Sequence, residues 1–153
     1  MGFEMGFVDP HDDNTCYWYL CGWENLDFYH DFASICGVGK NKDREGETIV
    51  PVKSLDFICP LIDQLFENKI YNIYRKVFLV DQYLAQDFLE HLSIEDKIDF
   101  AIAFVLPQEY SKYQTIANYF YNNALDGCLI VESFKEAYDK MKKNTNMVVL
   151  YGG

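Results

Sequence analysis

The sequence lacks the short motifs that mark the commonest catalytic sites. It contains no GxSxG, HExxH, GxGxxG or paired CxxC pattern, which excludes the nucleophile elbow of hydrolases, the zinc site of metalloproteases and the dinucleotide-binding loop. No apolar run reaches the length of a membrane span. We therefore expect no catalytic residue, no cofactor, no bound metal and no membrane partner.

The five cysteines do not form a zinc-binding or redox pattern. Cys16 and Cys21 lie five positions apart and no second close pair accompanies them, whereas zinc ribbons and thioredoxin-like sites need closer spacing. The count is odd, and no cleavable signal peptide precedes the cysteines. We expect a cytoplasmic protein in which most cysteines are small core residues.

Basic residues are missing from the first 39 positions of the chain. This segment carries seven carboxylates and no lysine or arginine, yet it also contains nine aromatic rings, including both tryptophans. A disordered acidic tail would lack the rings, and an ordinary core segment would lack the charge. The mixture favours a folded edge that presents an acidic, aromatic-rich surface to a partner.

A second acidic stretch runs from Asp81 to Glu109, where seven acids face a single base, Lys97. Acidic surface repels nucleic-acid phosphates and anionic membranes, and it attracts basic proteins in an association that weakens as salt rises. With a net charge of −11, we expect a basic protein partner and no direct binding of nucleic acid. Solubility alone would also explain the charge.

Size and patterning predict the fold class. The chain has 153 residues, half of them hydrophobic, which suits a single domain over residues 1–153. Strand patterns lie near both termini, helical patterns lie between them, and the strand–helix alternation of a doubly wound nucleotide binder is missing. We predict an α+β fold in which a small sheet, built from the N- and C-terminal strands, carries several helices.

Strands are predicted from alternation and from β-forming residues. Residues 3–8 place Phe3, Met5 and Phe7 on one face. Residues 15–20 follow a polar turn and predict a hairpin or an adjacent strand. Further extended segments are predicted at residues 48–52 and at residues 147–151, the latter buried beside the first strand.

Apolar residues at three- and four-residue spacing predict the helices, and Ser93 with Asp96 predicts a capping box at the start of one of them. The predicted core faces include Leu26, Tyr29, Phe32 and Ala33 in the first helix and Ile94, Ile98, Ala101, Ile102 and Val105 in the helix after Ser93. The predicted helices cover residues 24–35, 55–66, 70–91, 94–105 and 113–124, with a last helix through Phe134 and Met141 to Lys143. Two points stay open: Pro60 either kinks its helix or lies in the first turn, and residues 76–80 fit a helix or a strand. Residues 40–47 lack large apolar residues and predict a mobile loop.

Two sequence patterns suggest ion or phosphate sites and fail on spacing. Gly37 to Lys40 resembles a phosphate loop, but Ser34 and Asn41 occupy the positions that need a glycine and a hydroxyl residue. Asp9, His11, Asp12 and Asp13 offer metal ligands, but Asn14 and Leu20 replace the glycine and glutamate of a calcium-binding loop. A helix end and a solvated turn explain these residues more simply.

The remaining signal is surface chemistry. Twelve tyrosines exceed what a core of this size satisfies, so some should reach the surface as interface anchors.

Size, charge and composition together resemble the small acidic immunity proteins of bacterial toxin delivery systems, such as contact-dependent growth inhibition. That resemblance implies an antitoxin that binds a basic toxin domain, for example a nuclease. The candidate contact residues are Asp12, Asp13, Trp18, Trp23, Glu24, Asp27 and Asp31, with Asp81, Asp87 and Glu90 as a second patch.

Two other hypotheses remain. A phage-type inhibitor that mimics nucleic acid would share the acidity, although it should space its carboxylates regularly along an elongated surface. A small enzyme could assemble its site from remote residues such as His30, Asp31, Cys36 and His91.

Overall fold

A computed structural model describes residues 2–41 and 46–153 of the chain. The chain divides into two compact units, one formed by Met1–Asp56 with Ser133–Gly153 and the other by Phe57–Glu132. We call them the sheet unit and the helical unit, because the described strands all belong to the first. The single domain over residues 1–153 stays a prediction.

Five antiparallel strands form the sheet in the described part of the chain. They are β1 (Glu4–Asp9), β2 (Asp12–Cys21), β3 (Gly39–Lys40), β4 (Thr48–Pro51) and β5 (Met147–Gly152), in the spatial order β2-β1-β5-β4-β3. The N-terminal hairpin and the pairing of the C-terminal strand with β1 are confirmed. So is the α+β fold class.

Strand β1 has neighbours on both sides, and its inward face fills the core. Phe3, Met5 and Phe7 are all buried, as their alternation predicts. Phe7 lies opposite Trp18 of β2 and Leu150 of β5. The pairing with β2 is irregular between Phe7 and Asp9, next to the hairpin turn.

The described residues form seven α-helices. They are α1 (Leu26–Cys36), α2 (Ile58–Glu67), α3 (Lys69–Val80), α4 (Gln82–Glu90), α5 (Ile94–Ile102), α6 (Gln114–Leu125) and α7 (Ile130–Asn144), with short 3-10 turns at Trp23–Asn25, Val52–Leu55 and Gln108–Tyr113. Pro60 lies in the first turn of α2. Backbone N–H groups in the first turn have no hydrogen-bond acceptor within the helix, so the absence of this N–H in proline costs no helical hydrogen bond. Residues 76–80 are helical.

Three predicted details of the helices are wrong. The long helix over residues 70–91 is two helices, because Asp81 leaves the helical conformation and its side chain caps α4. Of the predicted core face of α1 only Phe32 is fully buried, and it is joined by Phe28 and Cys36 in place of Leu26, Tyr29 and Ala33. The predicted core face of α5, which begins at Ile94, points to solvent and is described below.

Half of the predicted mobile loop over residues 40–47, namely residues 42–45, lies outside the described residues. Its described ends belong to the sheet, because Lys40 pairs with Thr48 and the Asn41 N–H donates to the Glu47 carbonyl over 2.8 Å. The Gly37–Lys40 segment therefore passes from the end of α1 into strand β3.

Aromatic rings fill the core of the sheet unit. Trp18 meets Phe134 of α7 edge to face at 4.8 Å, and Phe28 meets Phe32 of α1 at 4.7 Å. Phe7 of β1 contacts Phe32 at 5.2 Å. Edge-to-face pairs of this kind add specific attraction to the burial of apolar area. Much of the aromatic content of the acidic N-terminal segment is thus used inside the protein.

The helical unit has one strongly hydrogen-bonded carboxylate near its core. Glu132 accepts two hydrogen bonds from the Arg75 guanidinium, each 2.8 Å long, and a third of 2.8 Å from the hydroxyl of the buried Tyr71. Burial, and then the nearby Glu132 charge, raise the pKa of Tyr71. The Arg75 guanidinium also lies 4.6 Å from the centre of the Phe66 ring.

Replacing Glu132 with alanine should destabilise the protein. The change leaves Tyr71 without an acceptor and Arg75 without its paired carboxylate, and the loss of charged hydrogen bonds should cost about 1.5–3 kcal/mol. Urea denaturation followed by circular dichroism measures the loss. Glu136→Ala, at an exposed position one turn further along α7, is the matched control and should change stability by less than about 0.5 kcal/mol. Equal effects of the two substitutions would contradict the assignment.

Candidate functional site

The structure separates the candidate residues of the N-terminal segment into two groups. Asp12 and Asp13 begin β2 beside the hairpin turn, whereas Trp23 and Glu24 follow its far end at Cys21. At about 3.3 Å per residue, the two ends of β2 lie roughly 30 Å apart along the strand. The predicted acidic surface is therefore not one continuous patch.

The carboxylates at the hairpin turn accept hydrogen bonds from neighbouring residues of the turn. Asp12 accepts hydrogen bonds from the Asn14 N–H over 3.0 Å and from the Thr15 hydroxyl over 2.7 Å. Asp9 accepts from the His11 N–H over 2.8 Å, and this bond is the main reason why the pKa of Asp9 is lowered. These contacts are the Asx-type turn that the sequence predicts.

A concavity of about 470 Å³ lies beside this turn, and four carboxylates are among its lining residues, namely Asp9, Asp12, Asp13 and Glu47. No trio of histidine, cysteine or acidic side chains within residues 2–41 and 46–153 is arranged to hold a metal ion. We assign the turn a structural role.

Trp18 does not belong to the surface. Only 6% of it is exposed. Its indole N–H donates to the Ser133 hydroxyl of α7 over 3.1 Å. The alternation of β2 turns Trp18 inward beside Phe7 and leaves its neighbours Tyr17 and Tyr19 on the outer face. The prediction that Trp18 contacts a partner is therefore wrong.

Trp23 is the exposed tryptophan, with 61% of its surface accessible. It follows Gly22, whose φ of 118° is a conformation that favours glycine. The Gly22 N–H donates to the Phe3 carbonyl over 2.8 Å, and the buried Asn25 donates from its side chain to the Cys21 carbonyl over 3.0 Å. Both bonds fix the backbone on either side of the indole.

The indole of Trp23 rests on a buried ring. Its centroid lies 5.6 Å from that of Phe3, which in turn lies 5.7 Å from the ring of Tyr29 on α1. Phe3 is held by β1, so one side of the indole is supported by the core while most of its surface meets solvent. An aromatic side chain ordered in this way loses little conformational entropy when a partner covers it.

Carboxylates follow this tryptophan in the 3-10 turn and in helix α1. Glu24 is exposed in the 3-10 turn, and its carboxylate curls back against Gly22, where a methyl group would collide with it. Asp27 and Asp31 lie one turn apart on one side of α1. We call Trp23, Glu24, Asp27 and Asp31 the Trp23 surface. It combines an apolar anchor with negative charge.

The second predicted patch lies on α4 of the helical unit, and its residues serve different purposes. Asp81 accepts from the N–H groups of Tyr83 and Leu84 over 2.8 and 3.3 Å as the N-cap of α4. A carboxylate oxygen of Asp87 lies 3.2 Å from Nδ1 of His91 and forms an ion pair with it when His91 is protonated. Glu90 lines a partly apolar concavity of about 470 Å³ together with Leu89 and Phe100. All three acids are exposed, and Asp81 and Asp87 each have a local structural contact.

Sequence reasoning missed the exposed apolar residues of the helical unit. Leu79 and Val80 end α3 and are largely exposed, as are Tyr83 and Leu84 in the first turn of α4. On α5 the exposed apolar residues are Ile94, Ile98 and Ile102, and Val105 follows the helix. The available signal was that α5 has apolar residues on two opposite sides, of which a single core can bury only one.

The residues proposed for an assembled enzyme site are divided between the units. Cys36 is buried, and its thiol lies 3.9 Å from the Ser54 carbonyl. His30 is exposed on the same helix, and the six-residue separation places the two side chains on different sides of α1. His91 belongs to the helical unit. Within α1, therefore, the thiol and the imidazole do not converge.

None of the helices within residues 2–41 and 46–153 combines the length and the apolar character needed to cross a lipid bilayer. Comparisons of the chain with protein-family models, with curated proteins and with solved structures find no match.

Quenching of tryptophan fluorescence should distinguish the two indoles. We expect acrylamide to quench Trp23 strongly and Trp18 weakly, because one is exposed and the other buried. Among charged quenchers, caesium should be more effective than iodide at Trp23, because the surrounding carboxylates attract cations and repel anions, and added salt should reduce the difference.

Two substitutions assign these signals. Trp23→Phe should leave an emission that acrylamide hardly quenches, and Trp18→Phe should leave a strongly quenched one. Equal quenching of the two variants, or stronger quenching of Trp23 by iodide than by caesium, would contradict the arrangement described for the Trp23 surface.

The pKa of His91 should depend on Asp87. The Asp87 backbone carbonyl, and then its carboxylate, raise the pKa of His91 above the ordinary value. Protonated His91 therefore stabilises the fold below the pKa of the unfolded chain, and this contribution is lost as the pH rises through the folded pKa. Proton NMR titration should show a lower His91 pKa in Asp87→Asn, whereas Asp126→Asn is expected to leave it unchanged. An unchanged pKa in the first variant would contradict this cause.

Proposed function

We propose that this protein binds a basic protein partner through the Trp23 surface, and that it acts as an immunity-type inhibitor that neutralises a toxin domain. One observation carries the proposal: an exposed tryptophan packs on a buried ring, the backbone on both sides of it is held by hydrogen bonds, and the exposed carboxylates of Glu24 and Asp27 follow it in the chain. Binding energy at protein interfaces concentrates on such aromatic anchors.

The charge around the anchor supports a basic partner. The first 39 residues contribute seven carboxylates and no lysine or arginine, so the negative potential near Trp23 has no compensating base within its own segment. Lysine or arginine side chains beside an apolar pocket would complement this surface. Nucleic acid and anionic lipid carry the wrong sign of charge.

The same features suit an inhibitor of a nucleic-acid-cleaving toxin. Such a toxin carries basic groups where it holds phosphate, and carboxylates can occupy or cover those groups. The acids Glu24, Asp27 and Asp31 accompany an exposed aromatic side chain, Trp23, which a nucleic-acid backbone has no counterpart for. This arrangement favours recognition of a protein surface over imitation of a nucleic-acid backbone.

Capture from the native cell, with tagged wild-type protein as bait, tests the proposal. We expect a basic protein to be recovered at low salt and to be lost with Trp23→Ala. It should also be lost with the double reversal Glu24→Lys and Asp27→Lys, which changes the net charge from −11 to −7. Purified partner and bait should then associate at a rate that falls steeply as salt rises.

A matched control separates local from global charge. The double reversal Asp63→Lys and Glu67→Lys on α2 also changes the net charge from −11 to −7, at exposed positions of the helical unit. It should retain the partner. The proposal is wrong if both double variants lose the partner equally, if Trp23→Ala retains it, or if the wild-type protein recovers no basic protein.

A further inference from the structure

Helix α5 carries its aliphatic residues on the side away from the core. Ile94, Ile98 and Ile102 are 77%, 56% and 59% exposed, whereas Phe100 is 1% exposed. With 100° between successive residues, Ile98 and Ile102 each lie about 160° from Phe100 around the helix axis. The isoleucines therefore form a row that faces solvent.

This row is continuous and apolar. Its three residues are spaced four positions apart, so their side chains follow one another along the helix over about 12 Å. Isolated exposed aliphatic residues are common on protein surfaces, whereas aligned groups of them mark interaction sites. We call these three isoleucines the α5 ridge.

The ridge stands on a well-anchored helix. The Ser93 hydroxyl caps α5 by accepting from the Asp96 N–H over 3.2 Å. Phe100 packs against Phe104 at 5.3 Å and Tyr121 at 5.8 Å, and the Asn68 side chain donates to the Asp99 carbonyl over 3.0 Å. The exposure of the isoleucines follows from the packing of Phe100 and not from fraying of the helix.

Acidic side chains lie along one side of the α5 ridge. Glu95 and Asp99 are exposed and lie one turn apart, each directly after a ridge isoleucine. The other side has the small residue Ala101 and the base Lys97. A complementary surface would be apolar in the centre and basic on the side that meets Glu95 and Asp99.

We propose that the α5 ridge docks an amphipathic helix of another protein, with lysine or arginine beside its apolar face. A row spaced by four residues packs well into the groove between equivalent rows of a second helix. A second copy of the chain would bring like charges together, since each carries a net charge of −11. Anionic lipid headgroups would also be repelled by Glu95 and Asp99.

This docking surface is independent of the Trp23 surface. It belongs to the helical unit, whereas Trp23 belongs to the sheet unit. Substitutions in one surface should leave binding at the other unchanged. A negative result for the α5 ridge is therefore distinguishable from a negative result for the Trp23 surface.

Three synthetic peptides test the α5 ridge by fluorescence anisotropy. The first is an amphipathic leucine–lysine helix, the second is a scrambled leucine–lysine peptide without an apolar face, and the third is an amphipathic leucine–glutamate helix. The wild-type protein should bind the first peptide most tightly, because only that peptide combines an apolar face with basic charge.

Two pairs of substitutions then locate the binding. Ile98→Gln with Ile102→Gln should weaken binding of the leucine–lysine helix about tenfold, because both anchors are removed. Leu79→Gln with Val80→Gln changes two still more exposed apolar residues elsewhere in the helical unit and should leave binding unchanged. Glutamine is a good helix former and the positions are exposed, so circular dichroism should show both variants folded.

The charge border has its own test. Glu95→Gln with Asp99→Asn should weaken binding of the leucine–lysine helix at low salt and have little effect at high salt.

The proposal is overturned by equal binding of the amphipathic and scrambled lysine peptides, by equal weakening in both glutamine pairs, or by tighter binding of the leucine–glutamate helix. Self-association through the isoleucines in sedimentation equilibrium, or binding to phosphatidylserine vesicles that requires them, would also overturn it.

Discussion

The register of strand β1 is the constraint on which the sheet unit depends. Phe3, Met5 and Phe7 all point inward, and a slip of one residue would turn all three to the opposite face. Phe7 then joins the aromatic core, and Phe3 supports the indole of Trp23. The same alternation that builds the core thus also holds the candidate anchor in place.

In the helical unit, too, the packing of the core decides which side chains are exposed. Its core combines aromatic rings with aliphatic side chains, and Glu132 accepts hydrogen bonds from the buried Tyr71 and from Arg75 beside it. Once Phe100 occupies the inner side of α5, Ile98 and Ile102 have no space in the core and face water. A single helix therefore provides both packing and an exposed apolar surface, and the two functions lie on opposite sides of it.

Much of the fold could be predicted from local patterns. The terminal strands, the α5 cap at Ser93 and the buried face of α7 through Phe134 and Met141 agree with the structure. The break at Asp81 was missed because apolar spacing continues across it, and only the capping contact ends α3 there. Of the candidate contact residues, Trp23, Glu24 and Asp27 are exposed whereas Trp18 is buried. Partner binding at the exposed residues stays a prediction.

The sequence by itself determined the charge, the aromatic content, the positions of most elements and the absence of common catalytic motifs. Those properties depend on composition and on neighbours within a few residues. Only the tertiary structure decided which tryptophan meets solvent and which side of α5 is buried, because both depend on residues distant in the chain. Trp18 is covered by Phe134 of α7, and Phe100 on the inner side of α5 is covered by Tyr121 of α6. Periodicity shows that a face is apolar, but the packing partner decides whether that face is covered.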